Sequence, residues 1–276
     1  MLLRFTKMHG LGNDFVVFDT ISQGPRVDAR LVRFLADRHR GIGCDQVLVI
    51  EPPTDPELDF RYRIFNGDGS EVGACGNGAR CVAKYIRDKR LCARSRVLLQ
   101  TLGGTLSTQG GKDNIFTVSM GVPRLEPAEI PFEAPSRTAV YTLATSRGEL
   151  EISAVSMGNP HAVLLVEDID DAPVSSLGPE IESHPRFPER ANVGFMQVLS
   201  REEVRLRVWE RGAGETLACG SGASAAVVAG RLRGLLDGRT RVHLGGGYLQ
   251  IEWQGEGEAL QMSGPATTVF EGQIAL

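Results

Sequence analysis

The sequence predicts an α+β protein of two pseudo-symmetric domains, each a curled mixed or antiparallel sheet around a central helix. Three observations predict this class: a repeated cysteine motif, short strand-forming runs in both halves of the chain, and an uncharged helical segment after the second cysteine. The chain has 276 residues, so each half is close to the usual size of one domain.

The repeated motif surrounds Cys75 and Cys219. Residues 74–79 read Ala-Cys-Gly-Asn-Gly-Ala, and residues 218–223 read Ala-Cys-Gly-Ser-Gly-Ala. Five further anchors recur in the same order at nearly fixed spacing: Asn13 with Asn159, Gln46 with Asn192, Asn66 with Glu210, Glu71 with Glu215, and 102–104 with 244–246. The alternative is chance recurrence of glycine-rich turns, since the chain holds 33 glycines. So many anchors in one order favour duplication of a single unit.

Runs of β-branched and aromatic residues bounded by Gly, Pro and Asp predict strands in both halves. They are 15–19, 46–50, 60–65, 96–101, 116–120, 139–144, 149–155, 161–166, 193–199, 204–209, 241–244 and 249–253. Residues 27–39 predict an amphipathic surface helix, and the Pro-rich stretch 121–135 predicts an interdomain linker. The final run, 267–274, predicts a strand that crosses back to the first domain. We therefore expect domains of 1–120 with 265–276, and of 121–264.

A helix is predicted to follow each cysteine. Residues 219–230 contain no charged side chain, and a helix that is apolar all round is buried on all sides. A sheet curled around this helix is its natural container. Arg80 and Lys84 interrupt the first helix, so the first half should be more open or should pair those charges.

Composition excludes several classes of protein. The formal net charge is −4, so no basic field predicts binding to nucleic acid or to an anionic membrane. The first residues lack a signal-peptide pattern, and no apolar run is long enough to span a bilayer, which together predict a cytoplasmic protein. The five cysteines form no Cys-x-x-Cys pair. We expect reduced thiols, with neither a metal site nor a disulfide framework.

Cysteine at the start of a helix is suited to acid–base chemistry. A thiol has an ordinary pKa of about 8.5, and the positive end of the helix dipole favours its thiolate. The glycines beside it leave backbone N–H groups able to bind a substrate carboxylate. Two matched thiols, one thiolate and one thiol, could remove a proton from one face of a carbon and return one to the other. That chemistry is typical of a racemase or epimerase.

Other polar residues near the anchors suggest a shared task. The chain has only six asparagines, and five of them, all but Asn114, stand at anchors of the repeat. His161 and Glu210 are titratable and are predicted to tune the thiol pKa values, although His161 is alternatively just a histidine at the start of a strand. No pyridoxal-binding signal is recognisable, so we expect no cofactor.

The sequence resembles the diaminopimelate epimerase family along its whole length. The resemblance lies in residues 7–15 (KMHGLGNDF), 66–80 (NGDGSEVGACGNGAR), 158–161 (GNPH) and 210–222 (ERGAGETLACGSG). It implies cofactor-independent epimerisation of LL-2,6-diaminopimelate to the meso form, in lysine and cell-wall precursor synthesis. It also implies an active site in the cleft between the two domains, and a homodimer.

The resemblance assigns roles residue by residue. Cys75 and Cys219 would be the two catalytic acid/base residues. The reacting end of the substrate would bind at the helix N-termini, through Gly76, Asn77, Gly220 and Ser221. The remaining pocket residues would be Asn13, Gln46, Asn66, Asn159, Asn192, Glu210 and Arg211. Arg211 is suited to pair with the distal carboxylate.

Two other functions remain open on the sequence alone. A proline- or hydroxyproline-type racemase of the same fold would have less use for the asparagines and Arg211, because its substrate lacks a second amino-acid end. A non-catalytic amino-acid-binding protein would have no use for matched thiols. If the two thiols oxidised to a disulfide, we would expect inactivation.

Overall fold

The computed structural model describes residues 2–73 and 75–276; Met1 and Ala74, the first residue of the repeated motif, lie outside the described residues. The chain divides into two compact units. One comprises Met1–Ser119 with Ser263–Leu276, and the other comprises Met120–Met262. None of the described helices is long and apolar enough to cross a membrane.

Strands dominate the described residues. In chain order they are β1 (Leu2–Gly10), β2 (Asn13–Asp19), β3 (Gln46–Glu51), β4 (Phe60–Asn66), β5 (Glu71–Val72), β6 (Arg96–Thr101), β7 (Gly104–Gly110), β8 (Ile115–Ser119), β9 (Tyr141–Thr145), β10 (Gly148–Ser156), β11 (Pro160–Leu165), β12 (Asn192–Ser200), β13 (Glu203–Glu210), β14 (Gly214–Thr216), β15 (Arg239–Leu244), β16 (Gly247–Glu252), β17 (Gln261–Pro265) and β18 (Thr267–Ala275). The helices are α1 (Ala29–Ala36), α2 (Gly76–Asp88), α3 (Val174–Glu182) and α4 (Gly220–Leu232), with a 3₁₀ turn at Pro127–Glu129.

The first unit is a mixed sheet with strand order β18-β1-β2-β3-β4-β6-β7-β8. The pairs β2–β3 and β4–β6 are parallel and the others are antiparallel, while β5 forms a short hairpin with β4. The last strand, β18, pairs with β1 along nearly its whole length. The polypeptide therefore closes this sheet with its final residues.

The second unit repeats this pattern of strands. Its order is β9-β10-β11-β12-β13-β15-β16, in which β11–β12 and β13–β15 are the parallel pairs. The short strand β14 pairs with β13 as β5 pairs with β4. A cysteine-led helix follows each hairpin, α2 in one unit and α4 in the other. The predicted α+β class, with its duplicated unit, is confirmed.

Each sheet packs a helix on both faces. In the first unit α1 covers Val16, Phe18, Val47 and Val49, which alternate along β2 and β3, and α2 packs against β1, β2, β3, β7 and β8. In the second unit α3 lies in the core cluster formed with β11 and β12, and α4 packs against strands from β10 to β16. The cysteine-led helices are buried along most of their length.

The charges that interrupt α2 are paired. Arg80 is fully buried and donates hydrogen bonds to the Asn77 side chain at 3.0 Å and to Pro265 O at 3.2 Å. Lys84 pairs with Asp88 one turn later. Of the two sequence expectations for this helix, pairing is therefore the one the structure shows.

The predicted linker at 121–135 is wrong. Arg124 forms a β-bridge with Ser156, and Ile130 and Phe132 are buried in the core of the second unit. The many prolines made this stretch look unstructured, but its two large apolar side chains pack into the core. The predicted helix at 27–39 is shorter in the structure, because Asp28 caps its start by accepting a hydrogen bond from Leu31 N.

Candidate active site

Each motif cysteine is the N-cap residue of its helix. Cys75 has φ −147° and ψ 109°, and Cys219 has φ −117° and ψ 108°. Both sulfurs accept a hydrogen bond from the backbone N–H three residues later, at 3.3 Å from Gly78 and 3.4 Å from Gly222. This contact and the adjacent helix dipole both favour negative charge on sulfur. The two halves of the chain thus build the same thiol geometry twice.

The glycine three residues after each cysteine is required by space. A Cβ on Gly78 would lie 2.2 Å from the Tyr62 hydroxyl oxygen, and a Cβ on Gly222 would lie 3.0 Å from Val208 Cγ2. The first N–H groups of a helix have no partner within the helix. Gly76 and Asn77 in one unit, and Gly220 and Ser221 in the other, occupy this first turn. Their N–H groups therefore suit an anionic ligand.

Amides surround the half-buried Cys75. Its thiol donates to Asn13 Oδ1 at 3.9 Å, and Asn77 Nδ2 donates to the same oxygen at 3.4 Å. The other end of the Asn13 amide donates to Asp45 Oδ2 at 3.1 Å. Because a carboxylate only accepts hydrogen bonds, Asp45 sets which way the Asn13 amide points.

A second pair of predicted residues lies on neighbouring strands of the first unit. Gln46 on β3 pairs in register with Asn66 on β4, and its Nε2 donates to Asn66 Oδ1 at 2.9 Å. Within the described part of the chain, Gln46 Oε1 is buried without a hydrogen-bond partner. A buried acceptor without a donor costs free energy, and it is suited to an ammonium group.

Cys219 is more buried than Cys75 and lies beside a charge. Burial first, and the Glu210 carboxylate second, raise the pKa of the Cys219 thiol well above its usual value. Ser221 Oγ lies 3.6 Å from the sulfur, and Thr216 donates a hydrogen bond to Glu210. The protonated thiol is thus the favoured form of Cys219.

The other predicted residues of the second unit form one connected group. His161 Nε2 lies 3.0 Å from Asn159 Oδ1, and His161 pairs in register with Asn192 on the parallel strand. Asn192 Oδ1 accepts the Arg211 backbone N–H at 3.0 Å. Burial, and then the charge of Arg211, lower the pKa of His161 to about 3, so the imidazole is neutral.

Sequence reasoning missed the side chains that hold these residues in place. Besides Asp45 they include Glu182, which is buried and accepts hydrogen bonds from Trp209 Nε1 at 2.7 Å and from Gly212 N at 2.8 Å. They also include Arg63 and Arg207, which pair with Glu71 and Glu215. A signal for the two arginines was present, since each stands twelve residues before its cysteine.

Solved structures share this fold at low sequence identity. A hydroxyproline epimerase from Agrobacterium vitis superimposes with a TM-score of 0.72 at 18% identity, covering 100% of this chain and 93% of that one. A phenazine biosynthesis protein of the PhzF family from Bacillus anthracis gives a TM-score of 0.73 at 16% identity, with 100% of both chains covered.

Sequence comparison is more specific. The family model described as diaminopimelate epimerase matches residues 5–126 and 153–269. Diaminopimelate epimerases from Teredinibacter turnerae, Pseudomonas aeruginosa and Ectopseudomonas mendocina are 57%, 55% and 54% identical to this chain, with 100% of both chains covered in each case. The predicted family is confirmed: the chain belongs to the diaminopimelate epimerase family.

Proposed function

We propose that this protein interconverts LL-2,6-diaminopimelate and meso-2,6-diaminopimelate without a cofactor, in lysine and peptidoglycan precursor synthesis. The observation that carries the proposal is the pair of helix-capping cysteines with matching geometry, Cys75 and Cys219. Relatives at 54–57% identity that carry the name diaminopimelate epimerase support the choice of substrate.

The proposed reaction is a proton exchange at one α-carbon. A thiolate removes the α-proton and becomes a thiol, which leaves a carbanion. The second thiol then donates its proton to the opposite face of that carbon and becomes the thiolate. Since burial and Glu210 favour the protonated form of Cys219, we assign Cys75 as the resting thiolate. The next turnover in the reverse direction uses the two residues in exchanged roles.

Backbone N–H groups are proposed to stabilise the carbanion. Delocalisation places the developing charge on the α-carboxylate, which the first-turn N–H groups of Gly76, Asn77, Gly220 and Ser221 would bind. One preorganised donor of this kind contributes roughly 3–4 kcal/mol to the transition state. Positioning of the reacting groups contributes on the order of 7–11 kcal/mol more. Several donors and two fixed thiols are thus a plausible substitute for an electron-withdrawing cofactor.

The remaining polar residues are proposed to bind the second amino-acid end of the substrate. Arg211 is held by its backbone N–H on Asn192 and by a hydrogen bond of 2.7 Å from its guanidinium to Glu189 O, so it is preorganised for a bidentate carboxylate contact. Gln46, Asn66 and Asn159 supply amide groups, and the unpartnered Gln46 Oε1 is an acceptor for an ammonium group.

The test is proton NMR of LL-diaminopimelate with the reduced protein in D2O, without pyridoxal phosphate. We expect loss of the α-proton signal together with appearance of the meso isomer. An unchanged spectrum with folded protein contradicts the proposed activity. Parallel incubations with L-proline and trans-4-hydroxy-L-proline separate a racemase of the same fold, and tight binding of diaminopimelate without turnover identifies a binding protein.

We also propose that the protein is a cytoplasmic homodimer. Its cysteines are thiols rather than disulfides, which suits a reducing compartment. Three large apolar side chains on the paired strands β1 and β18 are exposed, Leu2 at 62%, Val269 at 55% and Phe270 at 48%, and a second copy of the chain would cover them. Sedimentation equilibrium should give a dimer mass for the wild type and a monomer mass for Phe270→Glu. A monomeric wild type contradicts the proposal.

A further inference from the structure

We propose that two arginine–glutamate pairs, Arg63–Glu71 and Arg207–Glu215, position the two reactive thiols, one pair for each cysteine. This inference rests on the proposed two-thiol reaction. It treats the arginines and glutamates as positioning residues, since none of them contacts the reacting atoms.

The two pairs have the same geometry at the same place in the repeat. Arg63 donates from Nε and from Nη2 to the two oxygens of Glu71, at 2.9 and 2.7 Å. Arg207 donates in the same way to Glu215, at 2.7 and 3.0 Å. Each glutamate stands four residues before its cysteine. A bidentate contact of this kind restricts direction as well as distance.

Each pair holds a segment that has few other hydrogen bonds. The strands that lead to the cysteines are very short, Glu71–Val72 and Gly214–Thr216, and each ends three residues before its cysteine. The residue two before each cysteine has one backbone tie to a hairpin turn, Gly103 N to Gly73 O at 3.0 Å and Gly246 N to Leu217 O at 2.9 Å. The side-chain pair therefore supplies much of the restraint on this segment.

The arginines link this segment to the body of each unit through different contacts. Arg63 also reaches Glu51 at 3.4 Å and lies over the Phe65 ring at 4.7 Å. Arg207 instead donates to the backbone oxygen of Ile169 at 3.1 Å. The surroundings thus differ between the halves, whereas the Arg–Glu contact is the same. What the halves share downstream is the helix-capping thiol.

Global stability does not account for the pairs. All four side chains are partly exposed, from 21% for Arg63 to 35% for Glu215, and exposed ion pairs contribute little to folding. Loss of a pair should instead loosen the segment before one cysteine and misplace that thiol. A displacement of about 1 Å can cost a hundredfold in rate.

The test uses Glu71→Gln and Glu215→Gln, which keep the side-chain shape but set an amide N–H₂ against the guanidinium. We expect kcat/KM for diaminopimelate to fall between about ten- and a hundredfold, with KM and the melting temperature close to wild type. The decisive readout is the isotope effect of α-deuterated substrate, measured in both directions.

The two variants should give mirror-image isotope effects. A misplaced thiol removes a proton slowly in one direction, so C–H cleavage limits the rate there and the isotope effect rises. In the other direction the same thiol only returns a proton, so cleavage by the intact thiol limits the rate less and the isotope effect falls. Glu71→Gln should raise the effect in one direction and Glu215→Gln in the opposite one. A general loss of folded protein lowers kcat without changing either isotope effect.

Asp170→Asn is the matched control. It breaks a bidentate pair with Arg205, at 2.9 and 2.8 Å, on the same strand as Arg207, and should leave both isotope effects at the wild-type value. If a glutamine variant melts early, Arg63→Lys or Arg207→Lys removes the bidentate contact and keeps the charge. Wild-type isotope effects in the variants of an active enzyme overturn the inference and leave the proposed function intact. An inactive wild type overturns the proposed function itself.

Discussion

The thiol of Cys219 lies buried beside the carboxylate of Glu210, so burial first and the carboxylate second raise the pKa of that thiol well above its usual value. The helix dipole and the Gly222 N–H act in the opposite direction, but burial and the carboxylate outweigh them. The repeat is therefore symmetric in backbone and asymmetric in charge: the position matched to Glu210 in the first unit is the neutral Asn66.

This asymmetry predicts the reactivity of Cys219 toward iodoacetamide. Because only the thiolate reacts, Cys219 should be alkylated more slowly than a small free thiol at neutral pH, and Glu210→Gln should accelerate its alkylation by removing the charge that disfavours the thiolate. Peptide mass spectrometry gives the rates. Cys44 and Cys81 serve as unreactive references in the same protein, since burial raises the pKa of each to about 12. A rate at Cys219 that is indifferent to Glu210→Gln contradicts the assignment.

The neutral, buried His161 predicts a loss of stability in acid. Its pKa is about 3 in the folded state against 6.5 in the unfolded chain, so the unfolded state binds more protons between these values. The His161 contribution is complete above pH 6.5 and decreases as the pH falls towards 3. In general, a pKa that differs by one between the folded and unfolded states changes the free energy of unfolding by about 1.4 kcal/mol.

Urea unfolding between neutral pH and about pH 4 checks this, because that range lies within the window in which only the unfolded state is protonated. His161→Gln should show a flatter decrease of unfolding free energy with falling pH than the wild type does. The exposed His39 provides the control, because His39→Gln should reproduce the wild-type slope. Equal slopes for the wild type and His161→Gln would mean that His161 is not held neutral by burial.

The contact between Asp45 and Asn13 predicts an effect on catalysis through amide orientation. Asp45→Asn offers Asn13 a donor as well as an acceptor, so the Asn13 amide can turn its oxygen away from Cys75. We expect kcat/KM to fall about tenfold, in line with other losses of positioning. Asp28→Asn is the control, because Asn caps a helix as well as Asp does. Equal activity of the two variants would contradict this role of Asp45.

The close packing of Gly78 against Tyr62 predicts a compensating pair of substitutions. In Gly78→Ala the new Cβ would overlap the Tyr62 hydroxyl, which lies 2.2 Å from the Cβ position. Overpacking of this kind costs about 1–3 kcal/mol. Removing the hydroxyl in Tyr62→Phe/Gly78→Ala should recover most of the lost melting temperature. A double variant no more stable than Gly78→Ala would show that the hydroxyl is not the obstacle.

Elements with strong apolar patterns were predictable, and those formed by other means were not. The strands at 46–50 and 60–65 differ from β3 and β4 only at their last residue. Helix α3 was missed because Pro179 lies inside it and proline usually interrupts a helix; burial of Val174, Leu177 and Ile181 holds it in place. Strand β7 was missed because it is mostly polar and only Thr108 in it is buried.

The candidate site divides in the same way. The cysteines, glycines and amides were predictable because the motif is local and occurs twice. Their partners were not, because Asp45 lies 32 residues from Asn13 and Glu182 lies 27 residues from Trp209. Such contacts depend on which strands and helices meet in the folded chain. The roles of the predicted residues in binding and proton transfer remain predictions.

The most direct measurement of the two-thiol mechanism compares Cys75→Ala and Cys219→Ala with the wild type by proton NMR of LL-diaminopimelate in D2O. The wild type should form meso product that carries deuterium at the inverted α-carbon, and each variant, folded by circular dichroism, should form none. Near-normal turnover in either variant would contradict the claim that one thiol removes the proton and the other returns it.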